Sequence, residues 1–262
     1  KVCIDSIKKN SKYNHEIILH INNGSDGTLE YAKDNKYSYT YTKENVGLCT
    51  SVNLAAKKSS SKFIIYAHDD MYFCPGWDTA FENEIKNSKH NLYLISGTMI
   101  EPNSGHLQLN CGEDFSNFNE RKLLSEFSKI EHYDYQGTTW CPQLIHKETW
   151  DKVGGLSEEF NPGIGSDPDF NMKLWMQGVR IFKGLNDFKV YHFGSQTTRK
   201  NLGIKKNRGD LTFIKKWGIS VKFFKKYYLK TNSKYKSELT DPIKDIYYYK
   251  DLIINKIYYL II

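Results

Sequence analysis

Phe63-Ile64-Ile65-Tyr66-Ala67-His68-Asp69-Asp70 sets the reading of the chain: five apolar residues run straight into three polar ones, ahead of Met71-Tyr72-Phe73-Cys74-Pro75-Gly76-Trp77. An apolar run of this length before a Pro-Gly break reads as a buried strand that ends at a loop. Adjacent carboxylates repel each other and resist desolvation, so their place at a strand end points to a hard cation held beyond the carboxyl edge of a sheet. The alternative is that Asp69 and Asp70 begin a solvated turn or cap the helix near Trp77. On this stretch alone both readings stand.

The rest of the chain supplies the context. Its 262 residues, 15% aromatic, can bury one medium core and carry an appendage. The five cysteines (Cys3, Cys49, Cys74, Cys111, Cys141) are odd in number, widely spaced and without a CxxC pair. That argues against a disulfide framework or a zinc site and for reduced thiols in a cytoplasmic setting. No apolar stretch approaches a membrane span and the first residues lack a signal peptide's apolar segment, so a soluble or peripheral protein is expected.

The net charge of +7 hides an asymmetry. Residues 199–262 hold sixteen Lys/Arg and five Asp/Glu, leaving twenty-one Lys/Arg against twenty-five Asp/Glu in residues 1–198. Two units are expected on this basis, a domain over 1–198 and a basic, mainly helical extension over 199–262. Twelve aromatics accompany the tail's charge. Ile214, Trp217 and Val221 fall at helical spacing for a core face within an amphipathic helix from about 210 to 230, so packing on the domain is preferred over contact with an anionic membrane. No nucleic-acid motif accompanies the charge.

The first hundred residues alternate in period. A strand over 15–21, a helix over 27–34, a strand over 37–42, a helix over 48–58, the strand over 63–67, a helix over 77–87 and a strand over 92–99 make the βαβ rhythm of a parallel sheet. After Glu101 the rhythm weakens, and a second polar cluster follows at Gly163-Ile164-Gly165-Ser166-Asp167-Pro168-Asp169-Phe170. Three turns sit where parallel strands end: Asn22-Asn23-Gly24-Ser25-Asp26-Gly27-Thr28, Glu44-Asn45-Val46-Gly47 and His68-Asp69-Asp70. Loops distant in sequence that meet at one sheet edge can form a nucleotide pocket.

That ordered set resembles the GT-A glycosyltransferases of family 2. Asn22 to Thr28 is similar to the family's Asp/Asn-rich Gly-Ser turn, Asn45-Val46-Gly47 with Asn53 to its Asn-x-Gly segment, and His68-Asp69-Asp70 to its Asp-rich metal motif. Val153-Gly154-Gly155-Leu156-Ser157-Glu158-Glu159-Phe160, then Ser166-Asp167-Pro168-Asp169-Phe170, then Val190-Tyr191-His192, resemble later family segments in the same order.

The resemblance implies an α/β fold, a Rossmann-like, mostly parallel sheet flanked by helices. It implies a metal-dependent, inverting transfer from a nucleotide-diphosphate sugar, UDP favoured, to a hydroxyl of a glycan or glycoconjugate. Asp70 and His192 would hold Mn²⁺ or Mg²⁺. Asn22, Asn23, Asn45, Gly47, Asn53, His68 and Asp69 would line the donor pocket. Asp167 would be the general base, because an inverting transfer needs a carboxylate at the acceptor hydroxyl opposite the leaving group. Asp169 is the other candidate, since Asp167 could simply cap a helix whose first turn contains Pro168. Trp140 reads as core more readily than as a platform for a sugar ring.

Departures from the family pattern accompany the matches. Asn22 and Asn23 stand where an acid is common, Ser166 where a Glu usually precedes the catalytic Asp, and His68 where an Asp is common. The usual first strand is lacking, because Lys1-Val2-Cys3-Ile4-Asp5-Ser6-Ile7 begins in a helix. The apolar, β-favouring Lys256-Ile257-Tyr258-Tyr259-Leu260-Ile261-Ile262 is one candidate to fill that slot, and a packed tail segment is the plainer one. Two other function classes use the same residues: a nucleotidyltransferase or metal-dependent phosphoesterase, and a nucleotide-sugar binding module without turnover.

Overall fold

A computed structural model describes residues 1–194 and 208–261. The boundary expected between residues 198 and 199, and Ile262 at the end of the expected last strand, lie outside the described residues. The first half follows the expected alternation: α1 (Val2–Asn10), β1 (Ile18–Asn22), α2 (Thr28–Asp34), β2 (Ser38–Thr42), α3 (Leu48–Lys58) and β3 (Phe63–Tyr66). Gly47 enters α3 with φ +81°, and a Cβ there would collide with Asn161, whose Oδ1 accepts from the Cys49 amide. Only glycine allows this loop to close so tightly.

β4 (Met71–Phe73) is a strand that the alternation conceals, three residues between the acidic turn and α4 (Trp77–Asn87). Then come β5 (Tyr93–Glu101), β6 (Leu107–Gln108), α5 (Glu120–Glu126), β7 (Tyr135–Gln136), β8 (Gln143–His146), α6 (Lys147–Val153), α7 (Ser166–Met176) and β9 (Ile181–His192). In the tail follow α8 (Gly209–Trp217), α9 (Val221–Phe224), a π turn over Lys225–Leu229, β10 (Ser233–Lys234) and α10 (Ile246–Ile261).

The larger sheet runs β10-β7-β9-β5-β8-β3, with β4 also on β9 and β6 also on β5. It is mixed: β5 is parallel to β9 and β6, and the other pairings are antiparallel. β1 and β2 form a separate parallel pair. Among the described residues no strand joins the β1-β2 pair to the larger sheet. The segment considered for that slot is not a strand, because Lys256–Ile261 continues α10. Its Ile and Tyr side chains favour β structure, yet Tyr248, Leu252 and Asn255 recur at helical spacing. Tyr248 packs edge-on to Phe223 and Tyr227, Leu252 lies against the core, and Asn255 Oδ1 accepts from the Ser220 amide.

Gly218, at φ +71°, divides the expected helix over 210–230 into α8 and α9. Phe213, Ile214, Phe223, Phe224 and Leu229 enter the same core as Leu94, Phe170 and Phe182. The apolar side of these helices therefore faces inward. Most of the tail's exposed apolar residues lie on α10 instead, among them Ile246, Ile253 and Ile257. No helix among the described residues is long and apolar enough to cross a membrane, and all five cysteines are buried and unpaired.

Phe224 is fully buried in this common core. Phe224→Ala should therefore lower the unfolding free energy by about 3–5 kcal/mol. Urea denaturation should remain a single transition, and a separate early transition of the tail would contradict the shared core.

Candidate active site

Strand register assembles the first cluster. β4 pairs with β9 so that Met71 lies opposite His192, and the Phe193 amide donates to the Asp70 carbonyl at 3.0 Å. On the other side of β9, Ile100 of β5 lies opposite Tyr191, which brings Glu101 beside His192. The loop after β3 adds His68. One ligand atom from each of His68, Asp70 and His192 lies within 4.8 Å of the others.

Asp70 Oδ1 and His192 Nε2 face each other across 3.4 Å, both buried and neither with a hydrogen-bond partner. Orphaned buried polar atoms of this kind are costly, and a cation between them satisfies both. His68 Nε2 bonds to the Tyr66 hydroxyl at 2.8 Å, leaving Nδ1 as its free ring nitrogen. One carboxylate and two imidazoles fit a divalent transition ion.

The charges agree with that fit. Burial works against a charged His192, but the carboxylates of Asp70 and Glu101 outweigh it and raise its pKa to about 9. Burial likewise pushes the Asp70 carboxyl up, and the imidazoles of His192 and His68 bring it below its ordinary value. Burial lowers His68, keeping its ring neutral and able to ligate. Two carboxylates around one imidazole favour positive charge there, whether a proton or a metal ion supplies it.

Asp167 sits in the first turn of α7, behind Gly165. Burial pushes its carboxyl up to about 7, against the Lys225 ammonium and a 3.3 Å hydrogen bond from Gln143 Nε2. A carboxylate with that pKa can accept a proton near neutral pH. The Tyr66 hydroxyl contacts both His68 and Cys141, and the charges of Asp167 and Asp70 both bear on the Cys141 thiol. The base candidate and the cation cluster thus flank the same short stretch of buried side chains.

Other expected site residues divide by what they touch. Asn22 joins β1 to the next loop, its Oδ1 accepting from the Val46 amide and the Thr42 hydroxyl and its Nδ2 donating to Ser51 Oγ. Asn23, Asn45 and Asp69 are exposed along the rim. Asn23 and Asn45 each accept from an amide two residues on, those of Ser25 and Gly47. Asn53 is bonded to main chain: its Oδ1 accepts from the Leu156 amide and its Nδ2 donates to the Leu156 carbonyl.

Asp169 is fully buried and committed to the tail, accepting from Trp217 Nε1 at 2.8 Å and pairing with Lys216 Nζ at 3.0 Å. Trp140 donates to the Gly97 carbonyl and packs on His106 and Tyr135. Glu101, Gln143 and Tyr66 were not singled out by sequence. Glu101 alone carried a usable signal, an acid at the end of an apolar strand.

The sequence profile of glycosyl transferase family 2 matches residues 1–148, more than half of the chain, including the whole His68-Asp69-Asp70 turn. The chain belongs to glycosyl transferase family 2. No curated protein matches it. Solved structures of glycosyltransferases share its GT-A fold at low identity. GalNAc-T7, solved with UDP, GalNAc and Mn²⁺, gives a TM-score of 0.59 at 15% identity over 83% of this chain and 45% of its own. S. aureus TarS 1–349 gives 0.54 at 12% identity over 80% of this chain and 64% of its own. TarS 1–349 in complex with UDP-GlcNAc gives 0.51 at 14% identity, covering 74% and 56%. This family 2 chain therefore spans less than two thirds of those structures.

Because its pKa is raised on folding, Asp167 lowers stability once it is ionised. Folded protein binds the extra proton between the ordinary value near 4 and about 7, so stability falls as pH rises across that window. Asp167→Asn removes the effect. The melting temperature of the wild type should drop relative to Asp167→Asn between about pH 4 and 7, with a constant difference above. Parallel melting curves across that range would refute the raised pKa.

Proposed function

We propose that this family 2 chain transfers a sugar from a nucleotide-diphosphate donor to a hydroxyl of a glycan or glycoconjugate, with inversion at the anomeric carbon. Two observations support the reading: His68, Asp70 and His192 are grouped closely enough to hold a cation, and burial raises the Asp167 carboxyl to about 7. The two parts serve the two ends of the reaction. A divalent cation held by the cluster would draw charge from the departing diphosphate. A donor set containing two imidazoles favours Mn²⁺ over Mg²⁺.

On the acceptor side, Asp167 takes the hydroxyl proton as the oxygen attacks, and Gln143 orients its Oδ1. The donor pocket is assigned to the rim formed by Asn22, Asn23, Asn45, Gly47 and Asp69, beside the cluster. UDP is the first nucleotide to test, since GalNAc-T7 and TarS were both solved with it. Asn53 and Asp169 are left out of the proposal, because the main chain of Leu156 and the tail helix α8 occupy them.

A panel of UDP, GDP and their sugars with and without Mn²⁺ tests the reading by thermal shift and by release of nucleoside diphosphate. One nucleotide family should stabilise the protein only with Mn²⁺, and Asp70→Ala should abolish the shift. Asp167→Asn should keep the shift and lose about 10²–10⁴-fold in turnover. In the wild type, turnover should fall as pH drops through about 7, where Asp167 becomes protonated. Pyrophosphate as product would indicate a nucleotidyltransferase, and binding without Asp167-dependent turnover would indicate a binding module.

A further inference from the structure

The His192 ring is gripped from both sides. Its Nε2 faces Asp70, and its Nδ1 lies 2.5 Å from Glu101 Oε1. An imidazole that donates Nδ1–H to a carboxylate keeps its Nε2 lone pair for a metal and cannot rotate away from it. Glu101 is itself fixed. Ser104 Oγ donates to its Oε2, and its carbonyl accepts from the Leu109 amide at 3.0 Å.

The chain turns sharply around that carboxylate. Gly105, at φ +79°, sits so close that a Cβ would lie 3.0 Å from Glu101 Cγ, and the His106 amide and ring nitrogen close the turn on Met99. β6 then pairs with the end of β5, Glu101 opposite Gln108. The 101–108 turn thus holds one carboxylate against one imidazole. Both side chains are nearly buried, at 12% exposure each.

From this we infer that Glu101, held by the Ser104-Gly105 turn, is the positioning residue that fixes the tautomer and orientation of His192 for a divalent cation. The inference rests on the cation cluster assigned above. Glu101 does not itself complete that cluster, which is formed by His68, Asp70 and His192.

Titrating Mn²⁺ into nucleotide-free protein, followed by electron paramagnetic resonance, tests this without any turnover. Glu101→Gln should weaken Mn²⁺ binding by about tenfold to a hundredfold and change the ¹⁴N coupling of the bound ion, with its melting temperature close to wild type. Ser104→Ala keeps the carboxylate but frees one oxygen, and should give a smaller loss in the same direction. His192→Ala is the reference and should bind at least as weakly as Glu101→Gln. Wild-type Mn²⁺ affinity and ¹⁴N coupling in both Glu101→Gln and Ser104→Ala, with His192→Ala impaired, would overturn the role of Glu101 alone. Unimpaired binding by His192→Ala would overturn the cation cluster and this inference with it.

Discussion

The antiparallel pairing of β4 with β9 is the constraint on which the site depends. Only three residues long, β4 sets Met71 against His192, and the neighbouring Asp70 takes its place from that register. A slip of one residue would turn alternate side chains to the opposite face and part Asp70 from His192. So short a strand needs outside support, and α1 provides it. Ser6 Oγ accepts from the Phe73 amide, and Asn10 Nδ2 donates to the Phe73 carbonyl. α1 thus holds β4, and with it the register of Asp70 against His192.

Environment shifts two of these acids in opposite directions. Asp70 and Asp167 both lose water, which pushes any carboxyl toward its neutral form. Asp70 lies between two imidazoles and stays ionised, whereas Asp167 has a neutral amide and one lysine to set against the same loss. Opposite displacements of two carboxyls are what the proposed roles of ligand and base require. Neither the sequence motif nor the fold alone makes that distinction. It comes from the groups that reach each carboxylate.

Legibility in the sequence followed the physics of each residue. α3 and α4 were readable to the residue, because apolar spacing and flanking glycines agree there. His68-Asp69-Asp70 stood out because charge after an apolar run is unusual. Glu101 obeys the same strand-end rule but lies where the alternation weakens, and Gln143 and Tyr66 sit inside strands and read as core. Asn53 as a donor-pocket residue and Asp169 as a base were read from residue type, and type does not show the partners the fold gives them in the Leu156 main chain and α8. Over seven residues the end of the chain left a strand open beside the plainer packed tail segment, whereas over sixteen the inward contacts at Tyr248, Leu252 and Asn255 declare a helix.

The first residue of α8 meets the turn that leads into α7 without an intervening side chain: a Cβ on Gly209 would overlap the Ile164 carbonyl, one residue before Gly165. Two residues beyond Asp167, Asp169 is clamped by Trp217 and Lys216 of the same helix. At that point backbone lies directly against backbone. The tail is therefore tied to the first turn of α7, and displacement of α8 would reach Asp167, while Asp70 and His192, fixed by the pairing of β4 with β9, would stay where the sheet holds them.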